Sequence, residues 1–254
     1  MGRRFGQHFL ARKSVLDRIA EAACGEHSAL TIEIGPGRGA LTECLLERSE
    51  RVVAIEVDLV LVEYLRQKFR DAVDSERLTL IEGDVLKADL GAWGPAVIAG
   101  NLPYYITSPI LERVFASGKL WTRAVFLVQA EVAARLASAP GTRDYGYLSV
   151  LAQMHARVER LLDVPRTAFR PPPKVDSAVV SFDPRDAAAE FGIADTDAFL
   201  RFASACFRYK RKTLRNNLAA AYPKDLVDKL PEAGKRAKQL KLAELARIAR
   251  ILKM

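Results

Sequence analysis

The stretch NLPY at residues 101–104 places an amide, a proline and an aromatic ring directly after the apolar run AVIAG. An exocyclic aromatic amine is a weak nucleophile because its lone pair is delocalised into the ring. If the Asn101 side-chain oxygen and the Leu102 carbonyl both accept its N–H groups, the nitrogen becomes more tetrahedral and its lone pair is freed. Pro103 has a fixed φ and no N–H, which helps to hold the Leu102 carbonyl. Tyr104 offers a face on which a flipped base can stack. The stretch predicts a site that activates an aromatic amine by positioning.

A further aromatic residue, Phe169, precedes the proline run in RTAFRPPPKVDSAVV, residues 166–180. We expect its ring to close the other face of the base, with the prolines holding that wall rigid. The alternative is that the run is only a stiff, extended loop before the last strand.

The glycine-rich turn EIGPGRGALT, residues 33–42, follows an apolar run that predicts a buried strand, and it opens a helix. Gly35 and Gly37 allow a ligand to approach the backbone closely, and Gly39 allows the helix and the strand to pack. The spacing is GxGxG and differs from the GxGxxG of dinucleotide enzymes. Such a turn alone is as often structural as functional.

Two acidic residues give the turn a more specific meaning. Glu56 ends the second predicted strand, where a carboxylate can accept hydrogen bonds from both ribose hydroxyls. Asp84 ends the third, where it can meet an adenine amino group. Since the carboxyl ends of parallel strands border one crevice, the turn and the two acids predict an adenosine site.

Both NAD and S-adenosyl-L-methionine (S-adenosylmethionine) would present an adenosine to this site. A pyrophosphate requires a helix N-terminus with the GxGxxG turn, whereas a sulfonium cofactor with an amino-acid tail needs no phosphate cradle. The GxGxG spacing and the NLPY stretch, which fits the (N/D)-x-P-(Y/F) pattern of amino-group methyltransferases, favour S-adenosylmethionine. We also expect Asn101 to contact this cofactor.

The elements that must position these residues alternate along the first part of the chain. Short apolar runs separated by helical patterns predict a parallel sheet of α/β, Rossmann-like type. The predicted strands are 29–35, 51–56, 77–84, 96–101 and 124–129, with one helix over 59–72. QMHARVERLLDV and SAVVSF predict two more strands that pair antiparallel at one edge. After Pro184 the patterns are only helical, so we predict a cofactor-binding domain over 1–184 and a small all-helical domain over 185–254.

The charge of the 254-residue chain is uneven, because nearly all of the net +8 lies in its last quarter. Residues 183–254 carry 16 Lys/Arg and 9 Asp/Glu. The excess is either a solvated helical face or a surface for a phosphate backbone. We assign RNA contacts to the block FRYKRKTLRNNL, residues 207–218. Its cations cannot share one helical face, so some must come from a preceding turn; they are Arg208, Lys210, Arg211, Lys212 and Arg215.

Composition argues against several other classes of protein. The sequence has no run of 18 apolar residues, so no membrane helix is expected. The three cysteines are scattered, which is typical of a reducing compartment and of a chain without a disulfide framework. The three histidines fall in no metal-ligand spacing, so we expect no metal.

Taken together, these motifs resemble the ribosomal RNA adenine dimethyltransferases, and the resemblance covers nearly the whole chain. The stretches that carry it are GQHFL (6–10), EIGPGRGALT (33–42), AIEVD (54–58), EGDVL (82–86), GNLPYYITSPIL (100–111), DYGYLSVLAQ (144–153), FRPPPKVDSAVVSF (169–182) and FRYKRKTLRNNL (207–218).

The resemblance implies a class I S-adenosylmethionine-dependent methyltransferase domain followed by a helical domain. It also implies cofactor contacts from the 6–10 segment, namely His8 and Leu10. The chain looks like the branch that modifies two adjacent adenosines in a hairpin loop near the 3′ end of small-subunit rRNA, with four methyl transfers per rRNA. The expected setting is a monomer in the cytoplasm that acts on rRNA within a pre-assembled small subunit, with a role in subunit biogenesis.

The chain departs from the family pattern at His8, where Asn is usual. If that contact uses the side chain, cofactor affinity differs; if it uses the backbone, little changes. Three other readings stay open at this point: a large-subunit rRNA methyltransferase of the macrolide-resistance type, a DNA adenine methyltransferase, and a non-catalytic RNA binder in ribosome assembly. The intact Asn101–Tyr104 stretch argues against loss of catalysis.

Overall fold

The computed structural model describes residues 8–252, except for the side chain of Lys119. The contacts divide the chain into two compact units. The first runs to Ala133 and resumes over Glu159–Pro184, and the second comprises Ala134–Val158 and the chain from Arg185. The second unit therefore includes a segment that the sequence assigned to the first domain. The division into a cofactor domain and an RNA domain stays a prediction.

A seven-stranded sheet runs in the order β4-β3-β2-β5-β6-β9-β7. Its first five strands are parallel to their neighbours, and β9 is antiparallel to β6. The strands are β2 (Ser28–Ile34), β3 (Ser49–Glu56), β4 (Leu78–Glu82), β5 (Ala96–Asn101), β6 (Trp121–Gln129), β7 (Ala156–Val164) and β9 (Ser177–Pro184). This is the predicted sheet, with β9 and β7 at one edge. A separate two-stranded sheet pairs β1 (Phe9–Leu10) with β8 (Phe169–Arg170).

The central strands are apolar almost throughout because both faces of the sheet are covered, as parallel sheets require. The helices that belong to the first unit or begin in it are α1 (Lys13–Cys24), α2 (Ala40–Leu46), α3 (Leu59–Lys68), α4 (Arg70–Asp74), α5 (Thr107–Ala116) and α6 (Ala130–Leu136). The single helix predicted over 59–72 is broken at Phe69, which has φ −110° and ψ 34°. The break brings the Phe69 ring against Gly39, where an added Cβ would lie 2.4 Å from the ring. Gly39 thus permits close packing against this ring and not against a strand.

The second unit is helical around its own apolar core. It contains α7 (Tyr147–His155), α8 (Ala187–Phe191), α9 (Thr196–Phe207), α10 (Leu214–Leu218), α11 (Lys224–Asp228) and α12 (Leu242–Ile251). Val150 and Met154 of α7 pack in the same core as Phe199 and Phe202 of α9, which explains why 134–158 joins this unit. Within residues 8–252, no helix is both long and apolar enough to cross a membrane.

Candidate active site

A cavity of about 470 Å³ lies in the first unit, beyond the carboxyl ends of strands β2 to β5. Segments 8–10, 33–38, 55–57, 83–86 and 101–106 form most of its wall. It brings together ten of the predicted residues: His8, Leu10, Gly35, Gly37, Glu56, Asp84, Asn101, Leu102, Pro103 and Tyr104. The roles predicted for them stay predictions, but their convergence is a property of the fold.

The glycine turn is shaped by left-handed backbone and by a close aromatic neighbour. Gly35 and Gly37 have φ of 69° and 58°. A Cβ on Gly37 would lie 3.0 Å from the Phe9 ring, so a larger residue at this position would have to displace the ring. Phe9 was not predicted from the sequence, because a two-residue strand carries no periodic signal. Its ring covers the turn, and the Arg38 guanidinium lies 4.9 Å from the ring centre.

Glu56 is buried and largely satisfied by backbone donors. Its Oε1 accepts from the N–H groups of Val57 and Asp58 at 3.0 and 3.1 Å, and its Oε2 accepts from Gly37 at 3.1 Å. Burial raises the pKa of this carboxyl, and the three hydrogen bonds oppose the rise. A carboxylate has about four acceptor positions. One therefore remains, on Oε2, for a ribose hydroxyl, and the contact with both hydroxyls stays a prediction.

Asp84 presents one carboxylate oxygen to the cavity. Its Oδ1 accepts from the Leu86 N–H at 3.0 Å, which closes a tight turn and orients the side chain. Oδ2 accepts no hydrogen bond from the described residues. It is therefore available to an amino group of the kind that adenine carries.

Glu33 also lines the cavity, and the raised pKa of its carboxyl was not predicted from the sequence. Its side chain is only 1% exposed, and its Oε2 accepts from the Thr42 hydroxyl at 2.6 Å. Burial, helped by repulsion from Glu56, raises the pKa of Glu33 to about 8, although the Thr42 bond lowers it. Because this pKa lies above neutral pH, Glu33 is uncharged there. The acidic groups that suit a cationic sulfonium cofactor and disfavour a pyrophosphate are therefore Glu56 and Asp84.

The Asn101 amide has a defined orientation. Its Nδ2 donates to the His8 carbonyl at 3.1 Å, which leaves Oδ1 to accept from a ligand. The next peptide is anchored too, because the Leu102 N–H donates to the Leu127 carbonyl of β6 at 3.0 Å. The Leu102 carbonyl is left without a donor among the described residues. Pro103 follows at φ −61°. The Asn101 Oδ1 and the Leu102 carbonyl are thus both open to a donor, and their role toward an amine stays a prediction.

Tyr104 is held on both sides. Its hydroxyl is hydrogen-bonded to the Ser177 hydroxyl at 2.6 Å, and its ring stacks on the His8 ring at 6.3 Å between centres. Burial raises the pKa of Tyr104. The neighbouring Tyr105 also lines the cavity but is 65% exposed.

His8 uses both its backbone and its side chain. Its carbonyl accepts from Asn101, and its Nδ1 lies 2.9 Å from the Pro171 carbonyl. The ring thus supports Tyr104 on one side and contacts the Pro171 carbonyl. Gly6 and Gln7 of the same motif lie outside the described residues.

The Phe169 ring does not line the cavity, although it was predicted to close the other face of the base. Its side chain is 2% exposed, belongs to the core, and is absent from the described residues that line the cavity. Leu10 faces it across the β1–β8 pair. A ring packed in this way supports the cavity wall from behind, and in this conformation it offers no face to a base.

The predicted RNA-binding block lies in the second unit, at the junction of α9 and α10. Arg208, Lys210, Arg211 and Lys212 are exposed on the loop between the two helices, and Arg215 is exposed on α10. As expected, the cations come from a turn as well as from a helix. Arg215 forms a 2.6 Å ion pair with Asp228, so four of the five are left without an acidic partner among the described residues.

Asn217 shapes this loop from inside the unit, with 6% of its side chain exposed. Its Oδ1 accepts from the Tyr209 N–H at 3.0 Å, and its Nδ2 donates to the Cys206 and Tyr209 carbonyls at 2.7 and 3.3 Å. This role was not predicted, because two adjacent asparagines, Asn216 and Asn217, look alike in the sequence although only Asn217 is buried.

Comparison with known proteins identifies the family. A sequence profile described as "Ribosomal RNA adenine dimethylase" matches residues 1–254. The chain belongs to the ribosomal RNA adenine dimethylase family. Two relatives, both called Ribosomal RNA small subunit methyltransferase A, illustrate the similarity. The one from Acidobacterium capsulatum is 46% identical over 86% of this chain and 77% of its own. The one from Thiobacillus denitrificans is 42% identical over 95% and 94%.

Two solved structures illustrate the shared fold. A dimethyladenosine transferase from Plasmodium falciparum matches with a TM-score of 0.81 and 25% identity, over 95% of this chain and 96% of that one. The 23S rRNA methyltransferase ErmE matches with a TM-score of 0.70 and 26% identity, over 97% and 100%. The predicted class I methyltransferase fold, rRNA adenine dimethyltransferase activity and S-adenosylmethionine cofactor are confirmed.

The buried Glu33 carboxyl predicts a pH-dependent stability. Its folded pKa of about 8 lies above the ordinary 4.5, so between these values the native state binds the proton more tightly than the unfolded chain. The free energy of unfolding therefore falls as pH rises through this window, by up to about 1.4 kcal/mol per pH unit from this group. Glu33→Gln should show a shallower fall in urea unfolding. Glu47→Gln, at an exposed carboxyl, controls for net charge. Equal slopes in Glu33→Gln and the unchanged chain would contradict the assignment.

Proposed function

We propose that this protein dimethylates N6 of two adjacent adenosines in a hairpin loop near the 3′ end of small-subunit rRNA. Support comes from relatives named as small-subunit methyltransferases that align over most of this chain. The observation that carries the mechanism is the hydrogen bond from Asn101 Nδ2 to the His8 carbonyl. It turns the amide oxygen, beside the Leu102 carbonyl, into the acceptor of the adenine amine.

The residues that would hold the cofactor are those on the glycine-turn side of the cavity. Gly35 and Gly37 give close access to the backbone, and Glu56 and Asp84 would accept from a ribose hydroxyl and the adenine amine. His8 and Leu10 close the wall. Bound S-adenosylmethionine supplies an electrophilic methyl group. The Glu56 and Asp84 carboxyl groups at the cavity fit its positive charge.

The chain's own part in the transfer is positioning. Asn101 Oδ1 and the Leu102 carbonyl accept the two N–H groups of the amine, which directs its lone pair away from the ring. Tyr104, held by Ser177 and His8, supports the base by stacking, which contributes about 1–3 kcal/mol for a base on an aromatic ring. The cofactor, when bound, would supply the methyl group, and the methylated amine would release its proton to water. No side chain has to act as a base.

We further propose that the enzyme is a cytoplasmic monomer that acts on rRNA within a pre-assembled small subunit and contributes to subunit biogenesis. The small-subunit names of the relatives support this setting, and the unpaired cations at 208–212 support contact with structured RNA. Large-subunit methylation is the second candidate, because ErmE shares the fold over the whole chain length.

The function is tested by product analysis. The purified protein and S-adenosylmethionine are incubated with unmethylated small subunits, large subunits or duplex DNA, and the digested nucleosides are resolved by mass spectrometry. We expect N6,N6-dimethyladenosine from small subunits alone, at two adjacent positions. Product from large subunits alone would replace the proposal with the second candidate. Small-subunit binding without product from any substrate would indicate an assembly factor.

The basic block predicts a salt-dependent contribution to RNA affinity. Arg211→Ala and Lys212→Ala should each reduce the slope of log K against log salt by about 1, because each removes one phosphate contact and the counterion it releases. Filter binding to small subunits across a salt series provides the measurement. Arg250→Ala, at an exposed cation on α12, is the matched control. Unchanged slopes in both block variants would remove the block from the interface.

A further inference from the structure

A second cavity of about 470 Å³ in the first unit plays no part in the chemistry described above. The end of β6 forms one side of it, and the loop that precedes β9 forms the other. The lining is mostly polar and charged: Gln129, Ala130, Glu131, Arg166, Lys174, Val175 and Asp176.

The second cavity lies beside the first. β5 and β6 are parallel neighbours, with Asn101 opposite Leu127, so Gln129 stands two residues beyond the strand pair that carries the amine acceptors. Adjacent strands are about 4.8 Å apart. A hydrogen bond also connects the two regions. Tyr104 lines the first cavity, and its hydroxyl bonds to Ser177, which directly follows Asp176 of the second cavity. If one residue of a polymeric ligand occupies the first cavity, the next residue of that polymer therefore lies near the second.

The polar groups of the second cavity divide into those that build it and those that face outward. Asp176 builds it: its Oδ1 accepts from the Arg166 N–H at 2.9 Å, and its carbonyl accepts from the Ala130 N–H at 3.0 Å. Glu131 is likewise engaged within the protein. The side chains of Arg166 and Lys174 are exposed and have no acidic partner among the described residues.

These groups fit one ligand chemistry. Two cations suit a phosphate, because guanidinium and ammonium groups form charge-assisted hydrogen bonds with phosphate oxygens. The Gln129 amide can donate and accept, as the edge of a base requires. Val175, which is 45% exposed, offers apolar contact to a ring or a ribose. A nucleotide combines all three features.

We propose that this second cavity holds the nucleotide adjacent to the target adenosine, with its phosphate at Arg166 and Lys174 and its base edge at Gln129. This inference rests on the proposed function and deepens it, since an enzyme that modifies two adjacent adenosines must place one while the other reacts. Tyr104 and Ser177 then separate the reacting base from its neighbour.

The test is a double-mutant cycle between the protein and the RNA. Small subunits are prepared in which one of the two adjacent adenosines is replaced by uridine, and methylation of the remaining adenosine is followed with the unchanged protein and with Gln129→Ala. On the normal substrate, Gln129→Ala should raise KM about fivefold with kcat within about twofold, since the contact is made outside the reacting centre. On the uridine substrate, the same variant should change KM little, because its partner is already altered.

A double variant, Arg166→Ala with Lys174→Ala, should raise KM about tenfold on both substrates, since the phosphate is present in both. Arg51→Ala, at an exposed cation near the amino end of β3, is the matched control. Cofactor affinity and thermal unfolding should be unchanged in all variants, which separates substrate contact from loss of structure.

Independent, additive effects of Gln129→Ala and the uridine replacement would overturn the proposal, as would an unchanged KM in the double variant. If the unchanged protein makes no dimethyladenosine on normal small subunits, the proposed function itself fails, and the neighbouring-nucleotide site fails with it. The two failures are therefore distinguished by the unchanged protein on the normal substrate.

Discussion

The hydrogen bond from the Asn101 amide to the His8 carbonyl links the start of the described chain to the end of β5. Because the amide nitrogen is engaged, its oxygen is the atom that remains for an incoming amine. The His8 ring also stacks on Tyr104 and reaches the Pro171 carbonyl, while Tyr104 binds Ser177. These contacts hold the groups around the acceptor site in place. Catalysis by positioning depends on such contacts, since small displacements of the reacting groups lower the rate steeply.

The topology of the sheet explains why these groups meet. Parallel strands β2, β3 and β5 deliver the glycine turn, Glu56 and Asn101 to one edge, as in other open α/β sheets. The antiparallel strand β9 supplies the rest. Because it runs opposite to β6, it begins where β6 ends, and Ser177 pairs with Gln129. One reversed strand thus gives Tyr104 its hydrogen-bond partner.

The sequence predicted the parallel sheet and ten residues of the first cavity. Eight of the ten follow from motif spacing and strand order, which determine which residues share an edge, and His8 and Leu10 follow from the family resemblance. It missed Phe9 and the β1–β8 pair, since two-residue strands have no period. It misplaced Phe169, because an aromatic residue beside a motif looks the same whether its ring faces a ligand or the core. No helix was predicted over 134–158, and the strand predicted from QMHARVERLLDV begins only at Ala156, so helix α7 and the membership of 134–158 in the second unit required the structure. The burial of the Glu33 side chain was also not predicted, because the sequence does not show which side chains face the interior.

The central claim is that the oriented Asn101 amide activates the amine, and single-turnover methyl transfer to small subunits tests it most directly. Asn101→Ala should lose at least about 100-fold in rate, while the Kd for S-adenosylmethionine stays within about threefold, because the lost contact acts on the reacting amine. A normal transfer rate in Asn101→Ala would contradict the account. A rate loss matched by an equal loss of cofactor affinity would contradict it as well, since the residue would then serve cofactor binding alone.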